Sequence, residues 1–294
     1  MHVPSSTEYT VLNGCCFCFS QSTVTTSCKV PLLITLHGGR GFGQHGGDFN
    51  AFLPLANEGT LRILSYDQRG HGQSEVVGPF TFDQLVQDVE AFRKAFVEGE
   101  TPFVLLGGSF GGFIAQQYAI TYPHHLYRLV LRGTAPSYHT EDDAREVLRS
   151  RLYRVPSASP GMLDKIFSSV DNDMEFRLIV FALAPLYVET YDADAGLKSH
   201  VEGIYRAKVH NDLYSEREKY FDYTDHLVNL KVKSLILVGE FDWICPPRQA
   251  KKIHELVSTS ELFVVKGANH SCHLEKNEVV LGKLKLFLED ILQP

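Results

Sequence analysis

The sequence predicts an α/β fold, a mostly parallel twisted sheet with helices on both faces and one helical insertion. Three observations predict it. Short apolar runs of buried-strand character recur along the chain, amphipathic segments of helical period alternate with them, and the alternation stops over residues 136–225 before it resumes. At 294 residues, 44% hydrophobic and 21% charged, the chain can bury such a sheet without disulfide or metal staples.

The elements follow in order. Residues 9–20 carry two β-rich runs around Asn13-Gly14, a pair that closes a tight hairpin because both residues tolerate positive φ. Residues 31–37, 61–66 and 102–106 read as buried strands. Between the last two, Thr81 caps a helix whose Phe82, Leu85, Val86, Val89, Phe92 and Phe96 share one face. Another helix opens after Ser109 and ends at Pro123. Residues 126–131, 234–239 and 262–266 supply three more strands, and residues 278–292 a closing helix. The stretch 136–225 has no strand-like run, several helical segments, and breakers at Pro156, Pro160-Gly161 and Pro185. It is expected to be a cap over the carboxyl ends of the strands, with residues 1–135 and 226–294 forming the core.

Charge and composition exclude several classes. A net charge of −7 and a pI near 6.0 argue against nucleic acid or an anionic membrane as partner. No stretch approaches the ~18 apolar residues of a membrane span, and residues 1–8 lack the features of a signal peptide. Three of the six cysteines crowd at Cys15, Cys16 and Cys18. Neighbouring strand residues face opposite sides, so Cys15 and Cys16 do not share a metal, and no histidine follows at ligand spacing. They are expected to be reduced cysteines of a cytoplasmic protein, with no metal and no cofactor.

Gly107-Gly108-Ser109-Phe110-Gly111 is a G-x-S-x-G motif that leaves a strand and opens a helix. In that context the serine stands on a sharp, strained turn with its Oγ exposed, at a helix amino terminus that favours developing negative charge. Serine needs a base, and the base an orienting acid. Two later strands run into Glu240-Phe241-Asp242 and Gly267-Ala268-Asn269-His270, in the chain order acid then histidine. Asp242 is preferred to Glu240, which leaves the strand too early, and His270 to His273, which the following turn carries away. The other eleven histidines read as surface or loop residues. The strand at residues 31–37 ends in His37-Gly38-Gly39, where the Gly39 N–H is expected to form an oxyanion hole with that of Phe110; Gly38 is the alternative.

The same loop contains Gly41-x-Gly43-x-x-Gly46, a dinucleotide fingerprint in form, with Asp67 at a later strand end. His37-Gly38-Gly39-Arg40 intervenes before the first glycine, where the fingerprint wants an immediate turn, and Pro54 interrupts the segment that follows the last one. A nucleotide site would also leave Ser109, Asp242 and His270 unexplained.

Taken together, His37-Gly38-Gly39-Arg40-Gly41, Asp67-Gln68-Arg69-Gly70-His71-Gly72-Gln73-Ser74, Gly107 to Gly112 and Gly239-Glu240-Phe241-Asp242 resemble the proline iminopeptidase family. The resemblance covers residues 30–135 and 232–292. It implies an α/β-hydrolase fold with a helical cap, a Ser109/Asp242/His270 triad, removal of an amino-terminal residue, often proline, from short peptides, and no metal or cofactor. The sequence departs from the family where Arg40 replaces the proline of H-G-G-P-G and Phe110 replaces a Trp or Tyr. Trp243 also stands where some relatives carry a second carboxylate that grips the substrate amine.

An aminopeptidase needs carboxylates for a substrate ammonium. Residues 136–225 hold 17 Asp and Glu against 11 Lys and Arg, a field that favours cationic peptides. Glu175, Glu189 and Glu202 are candidate amine ligands and Trp243 a candidate pocket residue. The aromatics Tyr138, Tyr153, Phe167, Phe176, Phe181, Tyr187 and Tyr205 fit either a pocket wall or the cap's own core. Two other readings stay open: an esterase, lactonase or thioesterase acting on a small metabolite, and a catalytically silent binding protein.

Overall fold

The computed structural model describes residues 7–22, 30–56 and 60–292. Residues 1–6, which carry most of the signal-peptide reading, and Cys28 lie outside them. Eight strands form one sheet: β1 (Thr7–Leu12), β2 (Cys15–Gln21), β3 (Leu32–Leu36), β4 (Arg62–Tyr66), β5 (Phe103–Gly108), β6 (Leu126–Arg132), β7 (Ser234–Gly239) and β8 (Ser260–Val265). Their order is β1-β2-β4-β3-β5-β6-β7-β8. The pairs β1–β2 and β2–β4 are antiparallel, and all other pairs are parallel. Asn13 and Gly14 take φ values of 46° and 70° in the hairpin turn, as the dipeptide predicts.

Every residue of β3, β5 and β7 is buried. A parallel sheet covered on both faces makes its central strands continuous apolar runs, which is why they were readable. Period two then divides them between the faces. Leu105 joins Phe17, Val89, Phe92 and Ile114 in one core cluster, whereas Val104 and Leu106 join Leu33, Leu235, Leu237 and Val280 in another.

The helices α1 (Gly46–Phe52), α2 (Phe82–Phe96) and α3 (Phe110–Thr121) lie in the successive connections from β3 to β6. Thr81 Oγ1 caps α2 by accepting the Gln84 N–H at 3.2 Å. Between β6 and β7 stand α4 (Thr140–Arg151), α5 (Pro160–Ile166), α6 (Asp173–Leu183), α7 (Ala193–Glu202), α8 (Ala207–Leu213), α9 (Glu216–Lys219) and α10 (Thr224–Leu227), with no strand among them. This helical segment has its own cluster, built from residues such as Leu148, Leu163, Phe176 and Leu183. The chain closes with α11 (Pro247–Leu256), α12 (Cys272–Glu275), α13 (Asn277–Phe287) and α14 (Glu289–Leu292). The single closing helix expected over 278–292 breaks at Leu288, whose fully buried side chain joins the core. Among the described residues no helix is long and apolar enough to cross a membrane.

The helical segment is tied to loops at the carboxyl ends of the strands. Arg206 N donates to Gly41 O at 2.8 Å, Thr140 Oγ1 to Ile244 O at 3.1 Å, and Ser271 N to Tyr187 O at 3.1 Å. These bonds enclose the space above Ser109.

Candidate active site

Ser109 occupies the single residue between β5 and α3 and adopts φ 53°, ψ −119°. An L-residue there is strained, and its neighbours hold it: Ser109 N donates to Arg132 O and Gly112 N to Ser109 O, each at 2.8 Å. The turn closes only because Gly111 has no side chain, since a Cβ there would sit 2.1 Å from Leu36 O. Ser109 is therefore half-buried and opens into a cavity, on the first turn of a helix.

Asp242 and His270 arrive from the ends of β7 and β8. His270 Nδ1 donates to Asp242 Oδ2 at 2.8 Å, while Asp242 Oδ1 accepts the N–H groups of Cys245 at 2.9 Å and Ile244 at 3.1 Å. The carboxylate is 2% exposed and thus held in one orientation. His270 N donates to Asn269 Oδ1 at 2.8 Å, and the His270 ring meets the Tyr187 ring edge-on at 5.5 Å. With Nδ1 committed to Asp242, Nε2 is left as the acceptor nitrogen. Glu240 is spent elsewhere, on Lys266 Nζ at 2.8 Å and Gly267 N at 3.0 Å. His273 is held by Asp48 Oδ1 at 2.9 Å.

The cavity measures about 260 Å³, and Ser109, His270, Gly38, Gly39 and Phe110 line it. Gly39 takes φ +90°, a conformation that suits glycine, and a Cβ there would lie 2.4 Å from Phe42 O. From the helical segment come Thr140, Glu141, Phe167, Tyr187, His210 and Tyr214. Two charged groups share this wall. Arg40 is 6% exposed, and its guanidinium carbon lies 4.1 Å from the centre of the Tyr214 ring. Glu141 is also 6% exposed, its Oε1 has no hydrogen-bond partner, and burial pushes its carboxyl up to about 7 against the pull of Arg40. Below the serine, Arg132 and Asp48 pair at 3.1 Å. Although burial opposes it, Arg132 and His273 hold Asp48 below the usual carboxylate range.

Comparison with known proteins places this arrangement. Residues 31–277 match the model of the family described as serine aminopeptidase, S33. A proline iminopeptidase of Pestalotiopsis fici, PfmaB, is 52% identical over 260 residues, which cover 88% of this chain and 92% of that one.

The chain belongs to the serine aminopeptidase S33 family.

Like that family, it is a serine hydrolase. A proline iminopeptidase of Saccharolobus solfataricus is 26% identical over 274 residues, covering 88% of this chain and 85% of the relative. Two solved structures share the fold. The proline iminopeptidase of Mycobacterium smegmatis has TM-score 0.74 at 20% identity, covering 98% of this chain and 99% of its own. An esterase of Exiguobacterium antarcticum has TM-score 0.73 at 18% identity, covering 94% of this chain and 97% of its own.

In this S33 chain the substrate-binding candidates read from sequence stand away from the cavity. Trp243 is fully buried in the cluster of the helical segment, its ring 5.3 Å from that of Tyr187. Glu175 pairs with Lys165, Glu202 is exposed, and Glu189 binds Arg154 at 2.9 Å and Asn269 Nδ2 at 2.6 Å. None of the four lines the cavity. Each glutamate follows the usual rule that surface carboxylates find cations or water. Glu141, which breaks that rule, went unmarked because Glu141-Asp142-Asp143 is one acidic run in which only packing turns the first residue inward.

The histidines need a larger correction. His37, His45, His71 and His210 are buried rather than on the surface. Local partners make this tolerable: Gly41 N donates to His71 Nε2 at 2.8 Å, and Gln68 N to His37 Nε2 at 3.2 Å. Burial lowers His71 to about 3 and His210 to about 4, so both are neutral. His45 joins Ser20 and Asp67 in a second serine–histidine–aspartate set, with Ser20 Oγ to Nε2 at 2.9 Å and Nδ1 to Asp67 Oδ1 at 2.7 Å. Cys18, His45 and Asp67 also bring metal-ligating atoms within 4.8 Å of one another. Those donors are already engaged: Asp67 additionally accepts His45 N at 2.7 Å and Gln73 N at 2.8 Å. The same bonds leave Asp67 no role in gripping a ribose, which removes the acidic partner of the dinucleotide fingerprint.

Proposed function

We propose that the chain is an aminopeptidase that releases an amino-terminal residue, proline among them, from short peptides through an acyl-enzyme on Ser109. The observation that carries this reading is Glu141, a buried carboxyl in the wall of the cavity that holds Ser109 and His270, whose Oε1 has no hydrogen-bond partner and whose Oε2 lies 3.8 Å from Arg145. A carboxylate so placed takes the ammonium of a free amino terminus.

The geometry supports the following reaction. Ser109 Oγ attacks the first carbonyl carbon and its proton passes to His270 Nε2; Asp242 stabilises the imidazolium and fixes its tautomer. The N–H groups of Gly39 and Phe110 hold the oxyanion. His270 then protonates the leaving amine, the C–N bond breaks, and water releases the acyl group by the same steps in reverse order. Residues 136–225 act as the cap and 1–135 with 226–294 as the core. The name and 52% identity of the Pestalotiopsis fici relative support proline as the residue released. The five described cysteines are free, which supports a reducing, cytoplasmic setting.

The test compares turnover of prolyl- and alanyl-arylamides with that of N-acetylated arylamides and simple aryl esters. Free-amine arylamides cleaved well ahead of acetylated ones support the reading. Esters cleaved while every free-amine arylamide is left intact would overturn it.

A further inference from the structure

Arg40 stands in the Ser109 cavity as a buried cation without a counter-ion. It is 6% exposed, its Nη1 is buried with no hydrogen-bond partner, and no carboxylate among the described residues comes within ion-pair distance of it. Five rings surround the guanidinium: Tyr214 at 4.1 Å, Phe113 at 5.3 Å, Phe82 and Phe221 at 5.4 Å, and Phe110 at 5.7 Å. Aromatic faces stabilise the charge, but they are poor acceptors for N–H donors that lie in the guanidinium plane. A buried charge with open donors is costly unless something enters to pair it. Glu141 shares the cavity wall without pairing to Arg40, being instead 3.8 Å from Arg145. The two groups thus present opposite charges to one enclosed space.

We propose that Arg40 is a specificity-determining residue that binds an anionic oxygen of the substrate. The inference rests on the reading that this cavity is the active site, and it deepens that reading by making the substrate bipolar: an ammonium for Glu141 and an oxyanion for Arg40. Two sources share that chemistry, the terminal carboxylate of a very short peptide and an ionised phenol or enol. The guanidinium suits either, because its flat donor edge meets two lone pairs at once.

The experiment follows protection of Ser109 from a fluorophosphonate label, a readout that needs no knowledge of the natural substrate. Prolyl-glycine is compared with prolyl-glycinamide, and 4-nitrophenolate with 4-nitroanisole, on the wild type, Arg40→Lys and Arg40→Met. In the wild type at least one anion is expected to protect at a concentration about tenfold or more below that of its neutral twin. The first pair responding identifies a peptide carboxylate, the second a phenolate. Arg40→Met should reduce the preference to about twofold or less, with Arg40→Lys between, since it keeps charge but loses the planar fork. Equal protection by both members of both pairs in the wild type overturns the proposal even if a variant fails to fold. So does a preference that survives in folded Arg40→Met. If prolyl-arylamides are not turned over while the anion preference stands, the peptidase reading fails and the Arg40 assignment holds.

Discussion

Two serine–histidine–aspartate sets stand among the described residues, and by bond lengths alone the one remote from the cavity is the better. Ser20, His45 and Asp67 form a complete relay of 2.9 and 2.7 Å, each member at most 7% exposed. It bridges strand β2, the start of α1 and the end of β4, and none of its members lines the cavity. In the other set the His270–Asp242 bond is 2.8 Å, and Ser109 stands half-buried at positive φ on a helix amino terminus, packed against Gly38. The difference teaches that triad geometry is only a way to satisfy a buried histidine. What sets the Ser109 group apart is a serine strained outward into a cavity, the arrangement nucleophilic catalysis requires.

The comparison can be broken most directly by removing each serine. Ser109→Ala is expected to lose at least about 10³-fold in kcat and all fluorophosphonate labelling, whereas Ser20→Ala keeps its label and stays within about threefold of wild-type kcat/KM. Labelling that persists in Ser109→Ala and disappears in Ser20→Ala would reverse the assignment. The two histidine–aspartate pairs should differ almost as sharply. Asp242→Asn presents His270 in the wrong tautomer and should lower kcat by about 10³-fold or more. His45→Ala should leave kcat near wild type and lower unfolding free energy by about 1–3 kcal/mol, since Asp67 loses a buried partner; a urea titration reads this.

A smaller effect sharpens the contrast between a carboxyl that serves structure and one that does not. Glu141→Gln should raise KM for prolyl-arylamide about tenfold with little change in kcat, as expected for lost ground-state binding. For the wild type 1/KM should rise as pH passes upward through about 7, where Glu141 ionises, and the variant should lose that rise. Stability runs the other way. Folding raises this carboxyl from 4.5 to about 7, so the unfolded chain ionises first and the native state loses stability as pH climbs between those values. Glu141→Gln should therefore be more stable than wild type by about 1–3 kcal/mol above pH 7, the difference fading toward pH 4. Equal melting temperatures at pH 8 would show that Glu141 is not held at such a cost.

The smallest effect concerns the contact between the helical segment and the base. Glu189 holds Asn269, whose Oδ1 accepts the His270 N–H. Glu189→Gln is expected to reduce kcat about two- to fivefold and to leave KM unchanged. A change in KM alone would return Glu189 to the substrate-binding role expected from sequence.

How much was legible depends on how local the signal is. Strands β3, β5 and β7 announced themselves as apolar runs, and α2 by its spacing and its Thr81 cap. The Ser109 turn was readable because its strain demands glycines within a few residues, and Asp242 and His270 because each closes a strand. His37, His45, His71 and His210 misled because a histidine's burial depends on what meets its two nitrogens. For His45 those partners are Ser20 and Asp67, both remote in sequence. The glutamates of the helical segment misled for the same reason: a short amphipathic helix shows which residues are polar, not which of them a fold encloses.

The sequence alone was enough for the sheet, the strained Ser109 turn, the strand ends that carry Asp242 and His270, and the helical interruption, because periodicity and tight turns are properties of neighbouring residues. Only the tertiary structure decided what the nucleophile faces. Arg40 follows β3 and Glu141 begins α4, and they share one cavity because the helical segment packs onto the strand-end loops. Their burial, the unmet donor of one and the raised carboxyl of the other arise from desolvation by residues distant in the chain. No local pattern encodes that, since the cost of a buried charge depends on everything that surrounds it.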